Sequence, residues 1–224
     1  MTVLIVAAHP DDETLGAGAT IARHARGGEE VSILFLADGV SSRDPDGDHV
    51  DELRRRRSTA IVAASTLGAN TPQFLDLPDN RLDTVAMLSL ARAVEEVVER
   101  IRPDTVYTHH AGDLNVDHRC THEAVMTACR PVSTCPVKTV LCFELPSSTE
   151  WRSATAAPGF NPTWFVDVGQ TLEVKLAALS AYEEEMRPWP HPRSLQAVEH
   201  LARWRGATIG STAAEAFVLA RHRQ

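Results

Sequence analysis

Apolar and polar residues follow one another along this chain in blocks, without the two-residue rhythm of a half-buried sheet. Val3, Leu4, Ile5, Val6, Ala7 and Ala8 form a continuous apolar run, the pattern of a strand buried on both faces of a parallel sheet. The run stops at His9-Pro10. Leu15, Ala19, Ala22 and Ala25 then recur at helical spacing over residues 13–26, and Gly27-Gly28 supplies a stop. The alternation continues with a strand at 31–37, a polar stretch at 41–48 and a helix at 51–67 that turns Ile61, Ala64 and Leu67 inward before Gly68. A strand at 73–77 follows. The amphipathic segment 84–101 is broken by Pro103, and 104–108 reads as a fourth strand ending at His109. Beyond it come a short helix at 117–130, a strand at 137–145, and a loop rich in Ser, Pro and Trp. A strand at 164–168, helices at 172–186 and 194–205 on either side of a proline cluster, and a short strand at 216–219 complete the chain.

Strand and helix in this order predict an α/β fold, a Rossmann-like open and mostly parallel sheet with helices on both faces. No repeat and no long linker interrupts the pattern, so residues 1–224 are expected to form one domain.

Charge narrows the function classes. Thirty acidic residues against 22 Lys and Arg give a formal charge of −8, which repels a phosphate backbone, and the arginines are scattered, so nucleic acid is not an expected partner. No basic segment precedes an apolar stretch, and no apolar run approaches the ~20 residues that cross a bilayer. A soluble, cytoplasmic protein without membrane insertion is expected. Cys120, Cys129, Cys135 and Cys142 contain no C-x-x-C pair, and reduced, mostly buried thiols are the expectation.

In open α/β sheets ligands bind beyond the carboxyl ends of the strands, where His9-Pro10-Asp11-Asp12-Glu13 falls. Crowded negative charge there is costly unless a cation or backbone donors compensate it. His9 and Asp12, three residues apart across a proline that fixes the turn, can reach one ion while Asp11 points elsewhere. The alternative is that Asp11 or Asp12 caps the following helix. The end of the fourth strand favours the ion, because His109, His110, Asp113, Asn115, Asp117 and His118 gather at the same sheet edge. His118 completes a His, His, Asp set with an open position for water, the arrangement of a catalytic zinc. Asp117 is read as a helix cap, with support of the metal site as the alternative, and His122, one turn from His118, as structural.

At these residues the sequence resembles the PIG-L/LmbE zinc-dependent N-deacetylases. Ala8-His9-Pro10-Asp11-Asp12-Glu13 matches their first signature, and Asn115-Val116-Asp117-His118 is similar to the second. The likeness continues through Phe143-Glu144-Leu145-Pro146 and Pro190-His191-Pro192-Arg193-Ser194. The resemblance implies an LmbE-like fold and removal of acetyl groups from N-acetylglucosamine-type sugars, free or conjugated. It implies His9, Asp12 and His118 as zinc ligands and Asp11 as the general base toward metal-activated water. Fe2+, Co2+ and Ni2+ suit the same ligands. Relatives often assemble into homo-oligomers, so the resemblance leaves room for a homo-oligomer. Where better-known members carry histidine at the start of the second motif this chain has Asn115, which is expected to donate to the oxyanion or to form the turn, with His109 or His110 as substitutes. The family pattern also implies Arg56, Asp79, His110, Glu144, Trp151, His191 and Arg193 as a sugar pocket.

Three rival functions stand beside this reading. Gly16-Ala17-Gly18 after the first strand suggests a nucleotide-binding Rossmann protein, but a third glycine is absent and the loop is acidic. A non-catalytic sugar- or metal-binding module is the second, and an amidase acting on a non-sugar N-acyl substrate is the third.

Overall fold

A computed structural model describes residues 1–42, 49–153 and 159–224. The polar stretch expected at 41–48 lies outside the described residues from 43 onward, as does part of the Ser, Pro and Trp loop, at 154–158. The chain runs β1 (Thr2–Ala7), α1 (Asp12–Arg26), β2 (Glu30–Ala37), α2 (Val50–Leu67), β3 (Gln73–Leu77), α3 (Met87–Ile101) and β4 (Thr105–His109). It continues through α4 (Val116–Ala128), β5 (Thr139–Phe143), β6 (Trp164–Asp167), α5 (Leu172–Ala181), α6 (Leu195–Ala207) and β7 (Ala214–His222). The strands form one sheet in the order β3-β2-β1-β4-β5-β7-β6. β1 to β5 are mutually parallel, and β7 runs antiparallel to both β5 and β6. The expected α/β, mostly parallel sheet is therefore observed.

Alternate residues of the apolar runs feed two cores. Val3, Ile5, Ile33 and Phe35 face one side with α1, α2 and α5, while Leu4, Val6, Leu34 and Leu36 face the other with α3 and α4. Burial of both faces explains why these strands read as unbroken apolar stretches.

Three local expectations are corrected. Ile61 is 42% exposed, and the inner face of α2 is made by Ala60, Ala63, Ala64 and Leu67. The helix expected over 172–186 ends at Ala181, because Tyr182 and Glu185 turn inward to polar partners. The final strand runs Ala214–His222, well beyond 216–219, since its polar end still pairs with β5, Thr139 opposite His222.

Helix α1 is interrupted at Ala17 (φ −143°, ψ 16°). The Glu215 carboxylate on β7 accepts the N–H groups of Ala19 (3.1 Å) and Thr20 (2.7 Å). Lys175 Nζ on α5 donates to Leu15 O (2.7 Å) and to Glu215 Oε1 (2.6 Å). A buried ion pair thus fills the gap in the ladder that would otherwise strand polar groups in the core. The glycines at the break permit close packing: a Cβ on Gly16 would lie 2.4 Å from the Phe143 ring, and one on Gly18 3.1 Å from the Lys175 chain. Gly16-Ala17-Gly18 is a packing element inside a helix and offers no phosphate loop. All four cysteines are free thiols, three of them buried.

Candidate active site

The sheet order reverses between β1 and β4, and the turns leaving those two strands meet at the carboxyl edge, the position where open α/β sheets bind ligands. After β1 the His9 N–H donates to Asp12 Oδ2 (2.8 Å) and the Asp12 N–H to His9 O (3.2 Å). This tight turn sets His9 Nδ1 3.3 Å from Asp12 Oδ2. After β4, Asn115 Oδ1 caps α4 by accepting the Asp117 N–H (2.8 Å). One turn of helix then carries His118 Nε2 to 3.3 Å from the same Asp12 oxygen. Ligand atoms of His9, Asp12 and His118 lie within 4.8 Å of one another, all three residues buried. Asp12 Oδ1 is also buried and has no hydrogen-bond partner.

Each imidazole is held from behind by a carboxylate. His9 Nε2 lies 2.9 Å from Asp117 Oδ2 and 3.0 Å from Asp79 Oδ1, and His118 Nδ1 lies 2.9 Å from Asp113 Oδ1. Ionised carboxylates only accept, so in the neutral rings the outer nitrogens carry the protons, and His9 Nδ1 and His118 Nε2 present lone pairs toward Asp12. The carboxylates are themselves fixed. Asp117 accepts the N–H groups of Asn80 (2.7 Å) and Leu82 (2.9 Å), and Asp113 accepts from Asn115 N–H (2.9 Å), Thr149 Oγ1 (2.6 Å) and Ser148 Oγ. Asp117 therefore supports His9; the capping role expected of it belongs to Asn115.

Burial disfavours charge on His9, yet its bonds to Asp117, Asp12 and Asp79 raise its pKa well above the usual value. His118, equally buried, is held up at about 9 by Asp12 and Asp113. Asp12 stays well below the carboxylate range despite burial, because of the charge on His118 and the hydrogen bonds from His118 and His9. Such a pocket favours positive charge, and two imidazoles, one carboxylate and an orphaned carboxylate oxygen form a donor set that fits a divalent metal of the zinc class. His109 lies stacked on His118 (centroids 4.1 Å apart, 12° between planes), with Nε2 accepting the Ala8 N–H (2.9 Å). Burial keeps it neutral.

Asp11 sits at φ 123°, a strained conformation for a non-glycine residue. Its N–H donates to Glu13 Oε2 (3.0 Å), and Glu13 Oε1 in turn accepts from Tyr182 Oη (2.8 Å) and Thr14 Oγ1 (2.6 Å). The buried Glu13 braces the turn. The Asp11 carboxylate lies 3.0 Å from Arg193 Nη1 and 3.7 Å from Arg56 Nη2. Burial pushes its pKa up to about 6 against the pull of both guanidinium groups. A polar cleft of about 140 Å³ opens here, lined by His9, Asp11, Arg56, Asp79, Asn115 and Arg193 among others.

The fold thus brings together eight residues singled out in the sequence: His9, Asp11, Asp12, Arg56, Asp79, Asn115, His118 and Arg193. Of the arginines at the start of α2, Arg56 alone lines the cleft: Arg54 pairs with Asp51 on the surface, and Arg57 lies over the Phe74 ring. Four expected pocket residues stand outside. His110 meets the Phe160 ring in a T-shaped contact and accepts the Gly112 N–H. Glu144 is bound by Arg205 through two 2.8 Å contacts. Trp151, half exposed, meets His191 edge-on, and His191 accepts the Arg193 N–H (3.1 Å). Asn115 Oδ1 caps α4 and one of its two amide N–H groups donates to Asn80 Oδ1 (3.1 Å), contacts that fit the turn-forming alternative. His109, fully buried beneath His118, does not fold over the site. Sequence reasoning gave no role to Asp113, Glu13, Tyr182 or Glu185. Asp113, five positions before His118, carried a signal, since histidine ligands are regularly oriented by a nearby carboxylate.

The PIG-L family model, described as GlcNAc-PI de-N-acetylase, matches residues 4–129. The chain is 30% identical over 187 residues to the uncharacterized deacetylase YaiS of Escherichia coli, covering 81% of this chain and 90% of that protein. It is 30% identical over 240 residues to 1D-myo-inositol 2-acetamido-2-deoxy-alpha-D-glucopyranoside deacetylase 1 of Saccharopolyspora erythraea, covering 84% and 78%. Among solved structures, 4-carboxy-2-hydroxymuconate hydratase GalB of Pseudomonas putida superposes with a TM-score of 0.79 at 22% identity, over 100% of this chain and 97% of that one. At that identity the likeness is one of fold alone, and the chemistry has to be read from the site.

Proposed function

The chain belongs to the PIG-L family of GlcNAc-PI de-N-acetylases, and from that membership we propose that it is a metal-dependent hydrolase removing the acetyl group from an N-acetylated amino sugar, free or conjugated. One observation carries the reading: two imidazoles, each backed by a carboxylate, converge on Asp12, and the buried Asp11 stands beside them at the floor of a polar cleft. His9, Asp12 and His118 would hold the ion, zinc or in its place Fe2+, Co2+ or Ni2+. When bound, such an ion supplies Lewis acidity, activating water near neutral pH and polarising the acyl carbonyl.

The remaining chemistry belongs to the chain. Asp11, raised to about 6 and held between Arg56 and Arg193, is placed to take the proton of the attacking water and return it to the amine. Asp113 and Asp117 fix the ring orientations of His118 and His9. Arg56 and Asp79 supply a donor and an acceptor suited to the hydroxyl groups of a sugar. The relatives named deacetylases, one of them for an acetamido-deoxy-glucopyranoside of inositol, support the substrate class.

The test is acetate release from a panel of N-acetylated sugars, lone and conjugated, with zinc present. Release from at least one N-acetylglucosamine derivative is expected. Release only from N-acyl compounds without a sugar would replace the sugar reading with that of a general amidase.

A further inference from the structure

Arg193 reaches the cleft from a distant part of the chain and meets two partners there. Its Nη1 lies 3.0 Å from Asp11 Oδ2, and its Nε donates to Ser147 Oγ (2.7 Å). Ser147 is held at φ 65°, a left-handed turn, with its own N–H and that of Ser148 donated to the Glu150 carboxylate at 2.6 and 3.2 Å. The hydroxyl that receives Nε therefore comes from a fixed turn and can act as a pivot. The other cation at Asp11 is differently placed. Arg56 is ion-paired with Glu185 and its side chain is only 9% exposed, whereas that of Arg193 is 21% exposed and lies 4.0 Å from Glu185. The Asn115 amide is turned by structural partners, its Oδ1 accepting the Asp117 N–H and one of its two N–H groups donating to Asn80 Oδ1, so it offers the cleft at most a single neutral N–H.

We infer that Arg193 is a catalytic residue that follows negative charge from Asp11 to the acyl oxygen, turning about its bond to Ser147. The inference rests on the deacetylase reading above. Before reaction the negative charge sits on Asp11. As water adds to the acyl carbon, its proton passes to Asp11 and the carbonyl π pair moves onto the acyl oxygen. The charge lost at one place reappears at the other, and the Nη donors of Arg193, released by the neutral carboxyl, move to it. On collapse the carbonyl re-forms and the C–N bond breaks. Its electron pair leaves with the nitrogen, which takes the proton from Asp11. The product acid ionises to acetate, and Arg193 returns to Asp11. A donor aimed at charge that develops only during reaction accelerates the chemical step without tightening substrate binding.

The experiment uses the zinc-loaded full chain, a sugar from the panel that it hydrolyses, and the variants Arg193→Ala, Arg193→Lys and Ser147→Gly. The last keeps the left-handed turn and removes the hydroxyl. Arg193→Ala is expected to lower kcat by roughly 10²–10³ with little change in KM. Added guanidinium should restore part of the loss, Arg193→Lys should fall between, and Ser147→Gly should lower kcat while leaving KM in place. Calorimetric titration with acetate should show weaker binding to Arg193→Ala than to the parent chain. A rise in KM at unchanged kcat would make Arg193 a binder of sugar hydroxyls. That result, or a kcat loss that guanidinium leaves unrepaired in a variant of unchanged Tm, overturns the inference and leaves the deacetylase reading standing. A parent chain that releases acetate from no sugar in the panel removes both.

Discussion

His118 Nδ1 and Asp113 Oδ1 are 2.9 Å apart, and this one contact decides which ring nitrogen faces Asp12. With the proton fixed on Nδ1, Nε2 is left as a lone-pair donor directed toward Asp12 only because the helix start and the Ser148-Thr149 turn hold Asp113 from both sides. Replacing Asp113 by Asn keeps the shape but loses the charge that anchors the tautomer. Zinc affinity, measured by competition with a chelator, is expected to fall by about 10–100-fold in a variant that still folds. An unchanged Kd would show that His118 needs no such support.

Asp11→Asn should separate binding from turnover. The Asp11 side chain is not among the three converging ligands, so the variant is expected to retain zinc, while loss of a general base lowers acetate release by about 10²–10⁴. His118→Ala should lose both, and chelation of the parent chain should abolish release reversibly. Full turnover by metal-loaded Asp11→Asn would sink the base assignment.

Metal binding should expel protons. Without an ion, His9 is raised well above its usual pKa and His118 to about 9, in both cases by carboxylates that outweigh burial. Both rings are therefore protonated at neutral pH in the empty pocket and must be neutral to bind. The sign follows directly: affinity rises with pH until His118 is deprotonated. Calorimetry at pH 7 in buffers of different ionisation enthalpy should show about one to two protons released per ion. Binding heats independent of buffer would contradict this.

The buried Lys175–Glu215 pair should be costly to break on one side only. Glu215→Gln leaves an ammonium in a site where both side chains are 4% exposed, and a loss of about 3–5 kcal/mol is expected from urea denaturation. Lys175→Met combined with Glu215→Gln removes both charges, and the Gln carbonyl can still accept from α1. The double variant should therefore be more stable than Glu215→Gln alone; if it is less stable, the charge on Lys175 is not what the glutamate compensates.

The sequence made the sheet legible because strands covered on both faces leave continuous apolar runs, as at Val3 to Ala8. It was less informative where burial depends on small or polar side chains. The inner face of α2 is mostly alanine, which hydrophobicity does not separate from Ile61, and the polar end of β7 is a strand only because β5 lies beside it. At the site, His9, Asp12 and His118 were legible because a strand-end motif and its position point to one edge of the sheet. Glu13, Tyr182 and Glu185 were not, since their partners are set by tertiary packing across more than a hundred residues, as with Tyr182 and Glu13. Glu144 stands outside the cleft because of a tertiary contact of the same kind, with Arg205 on α6.

The break in α1 has a consequence for how the molecule can be divided. The family model ends at residue 129, yet the groups that close the gap at Leu15, Ala19 and Thr20 come from Lys175 and Glu215. A fragment cut at that boundary would carry every converging ligand and still expose three backbone groups in its interior. The two portions are therefore not exchangeable modules. A chimera that takes its first half from one relative and its second from another inherits a working site only if the lysine and glutamate arrive together, in register with a break they did not evolve beside.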